Sequence, residues 1–453
     1  MKLHMRKILD KSFSGLGFLS ISLMAASLLV ILTPIFVKGF GAFVFQGTVE
    51  FRRLQLEKFE RGNRADIERE VAAALRARQP VYDMIAVFEE RLQSQGFLER
   101  NQHSEPLGEL KDALRELLGP FPDEPVPIMP RDQYGQTRWD RAQEKIAHVL
   151  YRVEYDHSDP ARMGTEVLIP REEDFRDTSL EPLFRYVEEN AEKMLLPRLT
   201  VYPRFLTDKP IDSHFFGGIW PEVLGTLCLT LGAMLCALPM GVISAIYLVE
   251  YAGESQLTSF LRTCVSTLAG VPSIVFGLFG LAFFINTLHI THGKSLLVGC
   301  LTLALLILPT IIRVSEEAIQ SVSPAYKEAA LSLGASRWRT VVTVILPASL
   351  PGILTGSVIS MGRAAGETAP IIFTAAVSVG KALDFAKLQF WQTCLEATPA
   401  LPWNIYNLAT EHEAVDEIRH VQFGMVFTLI VLVLVLNAAA ILMRARIAKK
   451  LKG

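Results

Sequence analysis

Cysteine is scarce in this 453-residue chain, and the stretch 41–215 has none at all; the five present are Cys228, Cys236, Cys264, Cys300 and Cys394. A disulfide framework is therefore excluded for 41–215, which must hold together through a core of its own. Four of the five thiols sit in apolar runs, where cysteine behaves as a small buried hydrophobe, and no CxxC pair or zinc-like spacing occurs. A basic excess is missing as well. The chain sets 45 Lys+Arg against 47 Asp+Glu, a formal net charge of −2, so no nucleic-acid footprint is present. Catalytic signatures are also lacking. Gly293-Lys294-Ser295 has the look of a Walker tail, but Leu288 stands where the upstream glycine is required. Glu411-His412-Glu413 runs into Ala414-Val415-Asp416 instead of completing HExxH, and there is no GxSxG elbow. His289 and His292 are three apart with no carboxylate near them, a pattern of turn residues and not of metal ligands. The chain is thus expected to be no enzyme, with no metal and no cofactor, and any ATP it depends on must be bound by another subunit.

Apolar length is what the sequence does have. Half of the residues are hydrophobic and 20% are charged, at a mean hydropathy of +0.30. Those values are compatible only if charge is segregated, and 58 of the 92 charged residues (25 Lys+Arg and 33 Asp+Glu) fall in 41–215. Charge-free runs cover 12–37, 223–249, 263–293, 295–312 and 421–443. Each is close to or above the roughly 20 residues that cross a bilayer as a helix. A sixth run is interrupted: 340–362 and 368–380 flank Arg363 and Glu367. It reads as an interfacial segment ending near Pro351, then a helix from Gly352 to Ala376 with two charges inside it. The fold class is an all-α membrane protein of six transmembrane helices with a large, α-rich extracytoplasmic insertion. Its domains are 1–40, the N-terminus and first helix; 41–215, the insertion; and 216–453, a core with five helices.

Basic residues orient the spans. Lys2, Arg6, Lys7 and Lys11 precede the first, and Arg444, Arg446, Lys449, Lys450 and Lys452 follow the last. Six crossings bring both basic ends to the cytoplasm, together with the stretch Arg313 to Leu350 and its Lys327, Arg337 and Arg339. The insertion, the 289–295 turn and the 380–420 loop then lie outside. The first run is too long for a signal peptide, and Pro34-Ile-Phe-Val-Lys38 offers no small-x-small cleavage site, so it is retained as a helix. In the insertion, Leu54, Phe59, Ile67, Val71, Ala74 and Leu75 recur at helical spacing, as do Val87, Phe88, Leu92 and Phe97. Further amphipathic stretches run about 107–118, 138–151 and 180–196. Pro120, Pro122, Pro125, Pro127 and Pro130 forbid helix between them. The insertion reads either as a packed helical domain or as a docking surface, and the residues do not choose.

Between the fourth and fifth spans, Ser323-Pro324 opens a helix that runs to Leu333, and Gly334 ends it in a sharp turn. A second stretch then carries Arg337, Trp338 and Arg339 before Leu346-Pro347 returns to the membrane. Glu328-Ala329-Ala330, Gly334 and Leu346-Pro347 together resemble the EAA loop of ABC-importer permeases, although Val344 stands where that family usually has isoleucine. The segments Gly362-Arg363-Ala364-Ala365-Gly366-Glu367-Thr368-Ala369-Pro370-Ile371-Ile372-Phe373-Thr374 and Thr398-Pro399-Ala400-Leu401-Pro402-Trp403-Asn404-Ile405-Tyr406-Asn407 resemble the phosphate permeases of the PstA type. The resemblance covers the first span and about 215–450; the insertion departs from shorter members.

The resemblance implies a type I importer permease forming half of a pathway in the bacterial inner membrane. Its expected partners are a PstC-like paired permease, a PstB-like ATPase dimer and a PstS-like phosphate-binding protein, with phosphate as substrate and lipid around it. Glu328, Ala329, Ala330, Gly334, Leu346 and Pro347 would couple it to the ATPase, and the family's pathway arginine falls on Arg363. Chemistry adds a role for the neighbours. Charges inside a span cost about 2.5–3.5 kcal/mol on insertion scales, so Arg363 and Glu367, four apart, should face the bundle or a wet path. An arginine fork suits an oxyanion. A carboxylate beside it suits one that still carries a proton, as phosphate does near neutral pH and sulfate does not. Thr368 is an auxiliary donor in this reading. The bland alternative is a self-neutralising pair that locks packing. Two other functions stay open: a permease for another oxyanion such as molybdate or sulfate, or a membrane-anchored phosphate sensor.

Overall fold

In a computed structural model, which describes residues 3–94, 97–156, 165–253, 255–378, 383 and 390–452, the first apolar run forms one helix, α1 (Leu3–Phe40). Phe13 and Val30 are 81% and 73% exposed on it, an apolar surface suited to lipid or to another apolar helix. Near its end α1 meets the last helix of the chain: Phe36 packs edge-to-face on Phe427 at 5.3 Å, and the Lys38 ammonium lies 5.1 Å from the Phe423 ring. The side chains of Lys2, Arg6, Lys7, Lys450 and Lys452, the Phe97 ring and most of 379–389 lie outside the described residues.

The chain then enters a separate compact unit made of 43–203 and 211–216. Its helices are α2 (Val49–Phe59), α3 (Arg64–Ser94), α4 (Phe97–Leu118), α5 (Trp139–Leu150) and α6 (Glu181–Leu195). Val81, Ile85, Phe88, Leu110, Leu114, Leu117, Phe175, Leu183 and Val187 form its core, so the stretch without cysteine does have an apolar centre of its own. Of the residues at helical spacing, Leu54, Ile67, Ala74, Phe88 and Leu92 are buried, whereas Leu75 and Val87 are nearly half exposed. The unit is also less purely helical than the periodicity suggests. Antiparallel strand pairs β1 (Val44–Gly47) with β4 (Arg198–Val201), and β2 (Tyr151–Asp156) with β3 (Thr165–Pro170), complete it. Tyr151-Arg152-Val153 supplies the alternation for the second pair, a signal that the preceding helix masks. Buried at its centre, Arg78 donates to Glu50 Oε1 at 2.8 Å and to the carbonyls of Met194 and Leu118 at 3.0 Å each.

The other unit comprises 1–42, 204–210 and 217–453. After α1, its helices are α7 (Trp220–Ile246), continued by a wide π turn at Tyr247–Tyr251; α8 (Gln256–Ala269); α9 (Ser273–Gly280), continued as π to Thr287; and α10 (Leu296–Gln320). The run 263–293 is therefore not one straight span. α8 and α9 are bent by 100° at Gly270-Val271-Pro272, where the proline lacks the N–H that would carry the helix onward. Short α11 (Pro324–Ser332) and α12 (Arg337–Thr340) follow, then a π turn at Val341–Ile345 leading into α13 (Leu346–Gly366). The last elements are α14 (Ala369–Thr374), α15 (Phe390–Cys394), α16 (Leu401–Thr410) and α17 (Arg419–Lys452).

Two expectations for the interrupted span are corrected. No break occurs near Pro351, because helix runs from Arg337 to Gly366 with Pro351 inside α13, and the π turn at Val341–Ile345 lies where Pro347 leaves the Thr343 carbonyl without a donor. Nor does helix reach Ala376. Pro370 has no N–H for the Gly366 carbonyl, so the ladder ends there, Glu367 turns to extended backbone (φ −75°, ψ 128°) and Thr368 starts α14. Likewise the 380–420 loop is not all loop, since α15 and α16 lie within its described part. Among the described residues, five helices are long and apolar enough to cross a membrane, or six if the bent pair counts as one. Leu229, Ala233, Leu303, Ile307, Ala364, Ile371 and Ala375 form the core of the bundle. Small residues let its backbones approach: a Cβ on Gly356 would sit 2.2 Å from Val314 Cγ1.

Candidate functional site

Arg363 occupies the last turn of α13, and Glu367 is the first residue beyond it. The two are joined by a hydrogen bond from Arg363 Nε to Glu367 Oε1 at 3.3 Å. They do not share a helical face, as four-residue spacing implies, because the backbone turns away at Glu367. The guanidinium remains 38% exposed while the carboxylate is 18% exposed. Glu367 borders a small space of about 10 Å³ together with Thr226, Thr230, Ala364, Ile371 and Pro402. That volume is of the order of one water. Thr368 is half-buried at the start of α14, and its carbonyl accepts the Ile372 N–H at 3.2 Å.

The threonines of α7 were not picked out from the sequence, although their four-residue spacing on a buried stripe is a readable sign. Their hydroxyls donate to helix carbonyls, Thr226 to Glu222 and Thr230 to Thr226. Thr226 Oγ1 also accepts the Leu401 N–H at 2.8 Å, and Asn404 Nδ2 donates to the buried Glu222 carboxylate at 3.0 Å. The segment around Thr398–Asn404 is thereby seated on α7 beside the Glu367 space. Gly225 permits the seat, since a Cβ there would lie 1.9 Å from the Pro399 carbonyl oxygen.

The second set of singled-out residues lies elsewhere in the bundle. α11 begins at Ser323-Pro324 and ends where Gly334 takes φ +85°, a backbone region that L side chains avoid. Glu328 and Ala329 are exposed on it and Ala330 is half-buried; none of the α11 residues is fully buried. Leu346 and Pro347 open α13 past the π turn, where the chain returns to the bundle. A charged neighbour of this set emerges only in three dimensions: Lys327 Nζ contacts Glu250 Oε2 at 2.5 Å. The remaining sequence candidates find structural uses. Ser295 caps α10 by accepting the Val298 N–H, Lys294 donates to the Ala376 carbonyl, and His289 Nδ1 sits 3.0 Å from the Thr287 carbonyl in a turn. Among the described residues no group of three His, Cys, Asp or Glu is placed to hold a metal ion.

Residues 237–453 match the family described as the binding-protein-dependent transport system inner membrane component. A probable ABC transporter permease of Bacillus subtilis, YqgI, is 35% identical over 256 residues, 55% of this chain and 85% of the relative. The phosphate transport system permease protein PstA 1 of Mycobacterium tuberculosis is 34% identical over 234 residues, 52% of this chain and 73% of the relative. A chain from the inward-facing MetNI methionine ABC transporter is 17% identical, with 51% of this chain and 94% of that one covered at a TM-score of 0.37. Membership of a binding-protein-dependent system implies a substrate-binding protein and an ATPase as partners. The chain belongs to this family: it is a multi-pass inner-membrane permease of an ABC importer, of the PstA type.

Proposed function

We propose that this chain imports inorganic phosphate, forming half of the pathway beside a PstC-like permease. The contact between Arg363 and Glu367 at the end of α13 carries the reading. A guanidinium more than a third exposed can offer its fork to an oxyanion, and a less exposed carboxylate next to it can accept a proton-bearing hydrogen bond. Phosphate satisfies both groups, whereas fully ionised sulfate satisfies only the first. Thr368 is a further donor one residue on. The relatives named as phosphate permeases support the same substrate.

In this reading both termini and α11 are cytoplasmic, and the 43–203 unit is extracytoplasmic. A PstB-like ATPase dimer engages Glu328, Ala329, Ala330 and the Gly334 turn, and a PstS-like protein delivers phosphate from outside. The space beside Glu367 is far too small for phosphate, so the site must open during each cycle. ATP binding and a loaded binding protein favour the outward-open state, and a ligand with equal affinity for both states would drive nothing. The test is labelled phosphate uptake by the assembled system in cells lacking their own such permease, challenged with excess sulfate or molybdate. Uptake should resist both competitors, and Glu367→Gln should admit sulfate. Competition by sulfate or molybdate in the wild type would contradict the phosphate assignment.

A further inference from the structure

α11 is anchored in an unusual way. None of its residues is buried, so it lacks the apolar seat that fixes most helices. Among the described residues, the one ion pair joining it to the rest of the bundle is Lys327–Glu250, at 2.5 Å. The Glu250 side chain is 10% exposed and the Lys327 side chain 41%, so the pair reaches from the packed end of α7 to the open face of α11. Glu250 sits in the π turn that ends α7, and two residues before it the Leu248 carbonyl accepts a hydrogen bond from Arg262 Nη2 of α8 at 3.2 Å. Arg262 Nε in turn lies 3.4 Å from Glu316 of α10. Ala245, Ile319, Val341 and Ile345 pack together, joining the ends of α7 and α10 to the π turn at Val341–Ile345, which leads into α13. π turns carry wider hydrogen-bond rings than α-helix and recur where helices must give.

We propose that the Lys327–Glu250 ion pair is the link through which displacement of α11 reaches α7, and that Arg262 passes it on to α8 and α10. The inference rests on the reading of α11 as the element that receives the ATPase. Lys327 and Glu250 are positioning residues here: they touch neither substrate nor nucleotide. A pair that carries motion must hold charge of opposite sign at its two ends, whichever end carries which. Charge exchange is therefore the discriminating variant.

The experiment uses the complete complex in proteoliposomes, with its paired permease, ATPase and binding protein, and measures phosphate taken up per ATP hydrolysed. Lys327→Glu and Glu250→Lys should each retain the ATPase subunits and hydrolysis, while uptake per ATP falls about tenfold, the scale of a typical coupling energy. The double exchange should regain most of the wild-type ratio, as a pairwise interaction requires, and singles that lose uptake while keeping assembly and hydrolysis exclude a merely structural role. Single variants that keep the wild-type ratio, a double as poor as the singles, or singles that shed the ATPase would each overturn the proposal. A wild-type complex whose hydrolysis responds to the binding protein but which moves no phosphate would contradict the phosphate reading alone. In that case the singles should lose the stimulation and the double should regain it.

Discussion

Arg78 and Glu50 are each 4% exposed at the centre of the 43–203 unit, and the guanidinium also serves the carbonyls that end α4 and α6. Removing one partner of such a pair strands a charge in low dielectric and costs about 3–5 kcal/mol, whereas replacing both with apolar residues is far milder. Arg78→Ala should therefore collapse hydrogen-exchange protection across α3, and the double change to Met and Leu should recover much of it. Equal loss in the two variants would contradict this. A second residue pair sets a pH response. The Arg115 guanidinium, through its hydrogen bonds, holds the Glu124 carboxyl below its usual range against the opposing effect of burial. A depressed folded-state pKa stabilises above the unfolded value and is lost as pH falls through the folded one. Protection around 119–124 should thus be full at neutral pH and fade in the acid range. Glu124→Gln should remove that pH dependence, and a profile unchanged in the variant would exclude the pair as its source.

At the scale of elements, the spans were legible wherever charge was absent, because lipid tolerates nothing else. α1 and α17 contain the runs that announced them, α10 takes all of its run but the capping Ser295, and the run of α7 extends into the π turn that continues it. What escaped was every place where a local backbone defect is repaired by a neighbour. The Gly270-Pro272 bend, the passage of helix through Pro351 and its end at Gly366 turn on backbone donors that proline lacks, which hydropathy does not weigh. The β2–β3 pair was hidden for another reason, since the alternation of Tyr151-Arg152-Val153 follows directly on the helical periodicity of α5 and is masked by it. The Thr398–Asn404 motif was readable as a resemblance, but its seat on α7 was not. Gly225→Ala tests that seat. Its Cβ must displace the Pro399 carbonyl, an overpacking worth about 1–3 kcal/mol. The purified complex should melt earlier, and phosphate uptake should fall with it. An unchanged melting temperature would show that the segment is not held there.

For the whole molecule, the same physics separates what was readable from what was not. A lipid-solvated bundle and a charged, cysteine-free unit with its own core follow from segregation of apolar and charged residues along the chain. The loop of α11 was legible because Pro324 and Gly334 punctuate it. Its tie to Glu250 was not, because the two charges are 77 residues apart and meet only when α7 and the loop converge. Arg363 and Glu367 were visible as charges in an apolar run, while the threonines facing Glu367 blended into α7. In the proposed pathway Arg363 is the group that phosphate must pass. The direct measurement is labelled phosphate uptake by phosphate-starved cells that carry this chain with its own paired permease, ATPase and binding protein, as wild type and as Arg363→Gln at equal membrane abundance. The account predicts uptake by the wild type that falls to background in the variant. Undiminished uptake by Arg363→Gln would reduce the arginine to a packing residue and contradict the account.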